Sequence, residues 1–466
     1  MRRATKKEMW IFAIGQLGWS ILAGIIGNLL VNFYLPDSTG NGIITFVIPS
    51  AIFLGLTVIG LITAFGRVVD AVTDPWIGSL SDRCNHRLGK RIPFLRYSAL
   101  PFALVTVLIF CCPVRGESVW NIVWLVLTLV IFYVSMTAYC TPFNALIPVI
   151  GKTQKDRMDV STYISLTYIV GTGLAFSGKM LWEMLYNATG MDYYLCARLV
   201  LGLLALIALV CMLLPAFLIK EKELDDTPPV NESAFKSLAK TFKNKDFRIF
   251  VLSDILYWIG ITIFNTGFIY YVENLLKLDM YMILFIFMTF VTFACYPLVN
   301  ILTRKYGKKK LVIVGFIIFA FAFLVSAFAG KITFIPNVVY GFIICVLVGV
   351  PLSILGVIPQ AIVADIAEAD CVTTGENHDG MFYAARTFAF KMGQSIAMIL
   401  FTSFAVIGQY TDPETGNLAN SGLGYRISLI TALVLCLLAC IVLLKYNEKR
   451  TMEIIGTKPE TKEGEE

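Results

Sequence analysis

The sequence predicts an all-α polytopic membrane protein with about twelve transmembrane helices in two halves of six. Of its 466 residues, 57% are hydrophobic and only 15% are charged, and the mean hydropathy is +0.75. A water-soluble protein of this length carries more charge, so the composition excludes that class. Apolar segments long enough to cross a hydrocarbon core of about 30 Å recur from Trp10 to about Lys445.

Polar or turn-forming residues separate these apolar segments, so the spans can be placed in order along the chain. The first follows a short basic stretch, and the last is followed by a charged tail. The predicted spans are 10–35, 54–81, 93–112, 119–149, 160–182, 194–219, 248–275, 279–303, 310–330, 336–366, 380–408 and 424–445.

Basic residues predict the orientation of the chain. Most of the 38 Lys and Arg lie in the two terminal stretches, in every second loop and in one long central segment. Because cytoplasmic loops carry the excess of Lys and Arg, we expect both termini in the cytoplasm, in a bacterial cytoplasmic membrane. The net charge of +6 is explained by this bias, and we expect no nucleic-acid partner. No cleavable signal peptide is visible, so the first span is expected to direct insertion.

The longest polar interruption, at 220–248, divides the spans into two groups of six. We predict an N-terminal six-helix bundle at 1–219, a cytoplasmic linker at 220–247, a second bundle at 248–445 and a cytoplasmic tail at 446–466. The loop GSLSDRCNHRLGKR after the second span is echoed by NILTRKYGKKK after the eighth. This echo predicts a parallel six-helix repeat, with the two halves pseudo-symmetric.

Two carboxylates stand one helical turn apart in the second span. Asp70 and Asp74 share one helix face, because side chains four residues apart are neighbours on a helix. Acidic pairs are costly inside a membrane, so such a pair indicates a functional site. A small cation or a proton would remove the repulsion between the two charges.

The loop after the second span has a more specific residue pattern than a positively charged cytoplasmic loop requires. Its glycine, acid and spaced basic residues resemble the loop signature of the major facilitator superfamily, in which two six-helix bundles alternate between conformations. The resemblance implies a gate, because acidic and basic groups lock neighbouring helix ends in one conformation and release them in the other. The implied gating residues are Gly78, Asp82, Arg83, Arg87, Lys90 and Arg91.

The resemblance narrows at R-V-V-D-A-V-T-D-P, residues 67–75. Together with R-x-G-K-R-x-P-F at 87–94, T-P-F-N-A-L-I-P at 141–148, V-A-D-I at 363–366 and Y-A-A-R-T-F-A-F-K-M-G at 383–393, it resembles the melibiose-permease-like glycoside-pentoside-hexuronide:cation symporter family. In that family, the matching positions form a cation site and its charge partners. The implied cation ligands are Asp70, Thr73, Asp74 and Thr137, and the implied coupling residues are Arg67 and Lys391.

Positions that contact the sugar in the melibiose-type pattern differ here. An aspartate is replaced by Ser20 and another by Cys140, an arginine by Ser165, and two tryptophans by Asn144 and Gly356. Losing carboxylate and guanidinium partners weakens the hold on a disaccharide, so we do not carry over galactoside specificity. The candidate substrate-binding residues are Ser20, Asn28, Cys140, Asn144, Arg386 and Thr387.

Arg386 has two interpretations. It could bind a solute carboxylate such as that of a uronate, or it could pair with Asp365 or Glu368 within the protein. Lys391 is expected to balance the charge of the second-span acids when no cation is bound, because an uncompensated buried ammonium group is costly.

We predict a cation-coupled secondary carrier of a small polar solute, most directly a sugar, glycoside or hexuronide. The alternative is a carrier of an amphiphile such as a lysolipid, because the family also resembles sodium-dependent lysolipid transporters. No G-x-x-x-x-G-K-[ST] motif occurs and the two His lie in loops, so we expect neither a cofactor nor an enzyme. Threonine oxygens favour Na⁺ as the coupling ion, whereas H⁺ needs only a carboxylate. We expect no metal beyond that ion, and a functional monomer in the lipid bilayer.

Overall fold

The structure is a computed structural model. In the part of the chain that it describes, the main elements are twelve long helices. The described residues are 2–35, 48, 52–53, 56–114, 116–151, 154–224, 241–332, 334–374, 379–411 and 418–456. The long helices are α1 Lys6–Tyr34, α2 Val58–Arg83, α3 Ile92–Ile109, α4 Val119–Ala145, α5 Gln154–Thr189, α6 Tyr193–Leu218, α7 Lys245–Tyr270, α8 Tyr281–Tyr306, α9 Lys308–Ala327, α10 Asn337–Thr374, α11 Asp379–Ala405 and α12 Leu423–Leu444.

Short elements complete the described chain. Helical turns occur at Ile147–Ile150, Glu221–Leu224 and Glu448–Gly456, and a π-helix at Tyr271–Leu275 extends α7. Two small antiparallel hairpins, which the all-helical prediction did not include, pair β1 Ile52–Phe53 with β2 Leu56–Thr57 and β3 Gln409–Thr411 with β4 Leu418–Asn420.

Eleven of the described helices are long and apolar enough to cross a membrane. The twelfth long helix, α2, falls outside that set because Arg67, Asp70 and Asp74 interrupt its apolar stretch. The predicted fifth and tenth spans, 160–182 and 336–366, were too short, since the helices extend over Gln154–Thr189 and Asn337–Thr374. Hydropathy marks where a helix crosses the membrane, whereas the helix continues wherever good helix formers follow.

Local side-chain caps start five of the long helices. The five helices α1, α2, α4, α6 and α7 each have a capping side chain that accepts a hydrogen bond from a backbone N–H of the first turn, and these are respectively Thr5, Thr57, Ser118, Asp192 and Asn244. Such caps satisfy N–H groups that have no partner within the helix.

The chain divides into two compact units. The N-terminal unit comprises Met1–Glu232 and Met398–Gly424, and the C-terminal unit comprises Ser233–Ala397 and Tyr425–Glu466. The predicted limits of bundles, linker and tail stay a prediction. Residues 225–240 of the linker and 457–466 of the tail lie outside the described residues.

Close helix packing positions α2 within the N-terminal unit. There α1 packs against α5 and α6, α3 against α4 and α6, and α2 against α4. A Cβ at Gly66 would overlap the ring of Tyr133, so α2 and α4 touch at a glycine. Small residues permit such close approach in membrane bundles. In the C-terminal unit, α10 packs against α8 and α9, and the short helix Glu448–Gly456 packs against α10.

Candidate cation and substrate sites

Two hydrogen-bonded pairs connect α2 with α4 in the N-terminal unit. The Thr137 hydroxyl donates to Asp70 Oδ1 at 3.0 Å, and the Thr141 hydroxyl donates to Asp74 Oδ1 at 3.0 Å. The two acids on α2 are four residues apart, and so are the two threonines on α4. The pairs therefore lie one turn apart along both helices. The structure therefore gives each predicted acid its own hydroxyl on the facing helix.

The first of these pairs is the more deeply buried. The Asp70 side chain is fully buried, with 0% exposure, and Asp74 is half-buried. The Thr73 hydroxyl donates to the Asp70 backbone carbonyl at 3.1 Å and lies 3.2 Å from Thr137 Oγ1. Asp70, Thr73 and Thr137 thus form one buried cluster, and Asp74 lies beside it; their role as cation ligands stays a prediction.

Arg67 supplies the nearby positive charge. Its Nη1 lies 4.0 Å from Asp70 Oδ2, and its guanidinium carbon lies 5.5 Å from the centroid of the Tyr133 ring. A cation over an aromatic face is stabilised by the ring. Arg67 therefore places a positive charge beside the buried Asp70 carboxylate.

The chemistry of the cluster suits a hard monovalent cation. Its donors are carboxylate and hydroxyl oxygens, which Na⁺ prefers over sulfur or nitrogen. The two helices also share a spacing, since D-A-V-T-D-P at 70–75 parallels T-A-Y-C-T-P at 137–142. The final proline of each has no N–H, so the carbonyls of Ala71 and Ala138 receive no hydrogen bond from it.

Sequence reasoning missed Thr141 and Tyr133. The shared spacing could have identified Thr141, because Thr137 and Thr141 repeat the four-residue interval of Asp70 and Asp74. No sequence signal marked Tyr133, whose role depends on the close contact at Gly66.

The predicted gating residues surround the cytoplasmic end of α2 and the following loop. Gly78 approaches α4, since a Cβ there would lie 3.7 Å from Thr141 Cγ2. The side chain of Asp82 lies outside the described residues. Arg83 and Arg87 are exposed, and Lys90 and Arg91 are half-buried. Their gating role stays a prediction.

A buried ion pair lies in the C-terminal unit. Arg386 on α11 donates from Nε to Asp254 Oδ2 at 2.7 Å and from Nη2 to Asp254 Oδ1 at 3.1 Å. The two side chains are only 7% and 4% exposed. One turn further along the same helices, the rings of Trp258 and Phe390 stack with centroids 4.9 Å apart. The two helices therefore present a charged pair followed by an aromatic pair.

The predicted pairing of Arg386 with Asp365 or Glu368 was wrong. Asp365 instead contacts Lys308, whose Nζ lies 2.6 Å from Asp365 Oδ2. The α11 helix turns Arg386 toward α7, and the spacing of residues along one segment cannot reveal that neighbour.

The remaining substrate candidates are scattered. Ser20 is buried, donates to the Leu17 carbonyl at 2.9 Å and packs where a Cβ at Gly171 would overlap it. It thus lies in the contact between α1 and α5. Asn144 is exposed. The half-buried candidates are Asn28, Cys140 and Thr387, together with the coupling candidate Lys391.

Comparisons with known proteins identify the family. Residues 11–448 match the family described as MFS/sugar transport protein. The inner membrane symporter YicJ of Escherichia coli (strain K12) is 23% identical over 405 residues, covering 84% of this chain and 84% of YicJ. The sodium-dependent lysophosphatidylcholine symporter 1-A of Danio rerio is 22% identical over 421 residues, covering 83% of this chain and 75% of that protein.

A solved structure agrees with the predicted fold. The crystal structure of a D-xylose-proton symporter superposes with a TM-score of 0.66 at 14% identity, covering 94% of this chain and 97% of that one. The predicted major facilitator fold is confirmed by this likeness and by the family match. The chain therefore belongs to the MFS/sugar transport protein family and is a multi-pass membrane transporter rather than an enzyme.

Proposed function

We propose that the protein couples the movement of a monovalent cation, Na⁺ or H⁺, to symport of a small polar solute by alternating access. The oxygen cluster between α2 and α4 is the single observation that carries this proposal. We further propose a bacterial cytoplasmic membrane as its location, with both termini in the cytoplasm and a monomer as the functional form.

The cluster supports a cation site because it brings two carboxylates and their hydroxyl partners together. Asp70 and Asp74 contribute two carboxylates, and Arg67 contributes one positive charge. A bound monovalent cation would reduce the repulsion between the two carboxylates. A threonine hydroxyl can donate its hydrogen to a carboxylate and still offer a lone pair to a cation. Thr137 and Thr141 can therefore order the acids and also serve as ligands.

The ligand set favours Na⁺ over H⁺. A proton needs only one carboxylate with a raised pKa, whereas Na⁺ gains from each additional oxygen. Binding of a proton does not require the additional hydroxyl oxygens of Thr73, Thr137 and Thr141. Thr137 and Thr141 contact the two carboxylates and Thr73 contacts Thr137, and this set of oxygens supports sodium coupling.

Arg386 and Asp254 support a polar solute in the sugar, glycoside or hexuronide class. A guanidinium and a carboxylate held side by side can accept and donate hydrogen bonds to hydroxyl groups, and the guanidinium can bind a solute carboxylate. Trp258 beside them offers an aromatic face and an indole N–H. A buried ion pair is a poor source of stability by itself, which favours a functional reason for this one.

An amphiphile remains the second candidate. Its support is the similarity to the Danio rerio symporter, which is named for sodium and lysophosphatidylcholine. The two candidates differ in solute and share the cation site.

A ligand screen on purified protein tests both candidates. Melting temperatures would be recorded in NaCl and in choline chloride, each with xylose, glucuronate, a β-glycoside or lysophosphatidylcholine. We expect one polar solute to raise the melting temperature only when sodium is present. Stabilisation by lysophosphatidylcholine alone would favour the amphiphile.

Transport by Asp70→Asn and Asp74→Asn proteins tests the cation site. Each change removes a charge with little change in volume, so gradient-driven accumulation should be lost while the protein still inserts. Wild-type accumulation by both variants would contradict the assignment. Uptake that persists in sodium-free buffer and collapses with a protonophore would favour H⁺.

A further inference from the structure

Two long helices begin without a local side-chain cap and obtain one from a distant glutamate. The residues that precede α3 and α9, Arg91 and Gly307, form no side-chain cap hydrogen bond. Backbone N–H groups at the start of α3 instead donate to Glu221, which lies just after α6. Those at the start of α9 donate to Glu448, which lies just after α12. Each glutamate follows the sixth long helix of its half and reaches the third.

The hydrogen bonds are short and well placed in both halves. Glu221 Oε2 accepts from the Arg91 N–H at 2.8 Å and from the Ile92 N–H at 3.0 Å. Glu448 accepts from the Lys308 N–H at 2.7 Å through Oε1 and from the Lys309 N–H at 3.1 Å through Oε2. A carboxylate at a helix N-terminus is favoured by the free N–H groups and by the helix dipole.

A basic residue completes the connection in the opposite direction. Arg96 on α3 donates to the Ala216 carbonyl near the end of α6 at 3.1 Å. Lys309 on α9 donates to the Leu444 carbonyl at the end of α12 at 2.8 Å. Cations stabilise the carbonyl end of a helix. In each half, a glutamate thus binds the start of the third helix and a basic side chain of the third helix binds the end of the sixth. We call this arrangement the clamp.

A glycine makes room for the glutamate in each clamp. Gly89 has φ +117° and Gly307 has φ +86°, values that L side chains rarely adopt. A Cβ at Gly89 would overlap the Glu221 carboxylate, and a Cβ at Gly307 would lie 3.2 Å from Glu448 Oε2. The turn before each helix is therefore shaped to admit the acid, and the same device occurs twice in the chain.

We propose that Glu221 and Glu448 are positioning residues that fix the third helix of each half to the sixth and hold the preceding turn in shape. In the N-terminal unit that turn closes the loop 84–91, which carries the predicted gating residues Arg87, Lys90 and Arg91. Glu221 therefore orders the backbone on which these side chains stand. The part of the proposal that concerns transport depends on the proposed function, whereas the part that concerns the clamps does not.

Hydrogen–deuterium exchange on the purified full-length protein tests the clamps without any solute. Glu221→Ala should accelerate amide exchange in peptides that contain residues 91–92 by about fivefold or more, with peptides at 308–309 unchanged. Glu448→Ala should produce the converse pattern, so each variant is the control for the other. Equal exchange in wild type and both variants would overturn the proposal.

Glutamine variants separate charge from hydrogen bonding. Both N–H groups use the same oxygen of Glu221, so Glu221→Gln can keep both hydrogen bonds through its carbonyl oxygen. Glu448 uses both oxygens, so Glu448→Gln must lose one of its two hydrogen bonds. We expect slow exchange to be largely retained in Glu221→Gln and partly lost in Glu448→Gln. Equal loss in both would refute the assigned geometry.

Cys84 reports on the same loop. Burial, and then the charge of Glu221, raise the pKa of the Cys84 thiol. Because the thiolate is the reactive form, Glu221→Gln should increase alkylation of Cys84 at neutral pH by about twofold or more, as measured by peptide mapping. Glu448→Gln should leave Cys84 unchanged, and Cys84→Ser identifies the peptide. No increase in Glu221→Gln would show that the charge of Glu221 does not act on the Cys84 thiol.

Transport separates positioning from simple stabilisation. Normalised to the amount of folded protein, Glu221→Ala should lower the maximal rate about fivefold or more at an unchanged sodium requirement, and Glu221→Gln should restore most of the rate. A merely structural role would leave the normalised rate unchanged, and that result would remove the functional part of the proposal. If transport by the wild-type protein does not depend on sodium, that result would instead count against sodium coupling in the proposed function.

Discussion

Replacing Thr137 by valine is the sharpest test of the cation cluster. Thr137 is 1% exposed, and the change removes its hydroxyl, which donates to Asp70 Oδ1 at 3.0 Å, while nearly preserving the volume of the side chain. A hydrogen bond to a charged group contributes about 1.5–3 kcal/mol. The same hydroxyl also stabilises Asp70 when no cation is bound, so only part of this free energy affects cation binding. We take that part as about 1.4 kcal/mol, which is a tenfold increase in the sodium dissociation constant.

The melting temperature of the purified protein measures this effect without a known solute. At a sodium concentration 100 times the wild-type dissociation constant, binding stabilises the folded state by about 2.7 kcal/mol. A tenfold weaker site at the same sodium concentration stabilises it by about 1.4 kcal/mol. The sodium-dependent rise in melting temperature should therefore fall to about half, at constant ionic strength set with choline chloride.

Thr128→Val is the matched control on the same helix. Thr128 is also buried, but its hydroxyl donates to the backbone carbonyl of Trp124 at 2.7 Å. Its replacement should change the melting temperature in choline chloride and leave the sodium-dependent rise intact. If Thr137→Val retains the full sodium-dependent rise, or Thr128→Val loses as much as Thr137→Val, the assignment of a sodium ligand is refuted.

Two further predictions concern helix contacts. Asp254→Asn should destabilise the protein by about 3–5 kcal/mol because it leaves the buried Arg386 uncompensated, and the double variant with Arg386→Gln should recover most of the melting temperature; no recovery would show that the two side chains act separately. Gly66→Ala should lower the melting temperature by an amount corresponding to about 1–3 kcal/mol and weaken sodium binding, because the new methyl group overlaps the Tyr133 ring. Gly202→Ala is its control, since nothing lies within 4 Å of a Cβ there.

Much of the fold followed from patterns within single segments. Span number and order came from hydropathy, and the match of α3, predicted at 93–112 and observed at Ile92–Ile109, shows how closely an apolar run can define a helix. The ends of α5 and α10 were predicted less well, because the helices continue into polar sequence that carries no apolar signal.

The candidate site divides in the same way. Asp70 and Asp74 were identified because an interval of four residues fixes two side chains on one face of any helix. Resemblance to a family added Thr137, which the structure places on Asp70. Thr141, Asp254 and Glu221 were not identified, because each gains its meaning from a residue on another helix.

The sequence alone determined the class of protein, its helices and the local spacing of its acids, because these depend on transfer of apolar segments into lipid and on the geometry of one helix. The tertiary structure alone decided the partners. Asp74 meets Thr141 across 67 residues, Arg386 meets Asp254 across 132, and Arg91 and Lys308 meet Glu221 and Glu448 across 130 and 140. Helical periodicity relates side chains within about two turns. Which helix faces which is set by the packing of a whole bundle, which no single segment encodes.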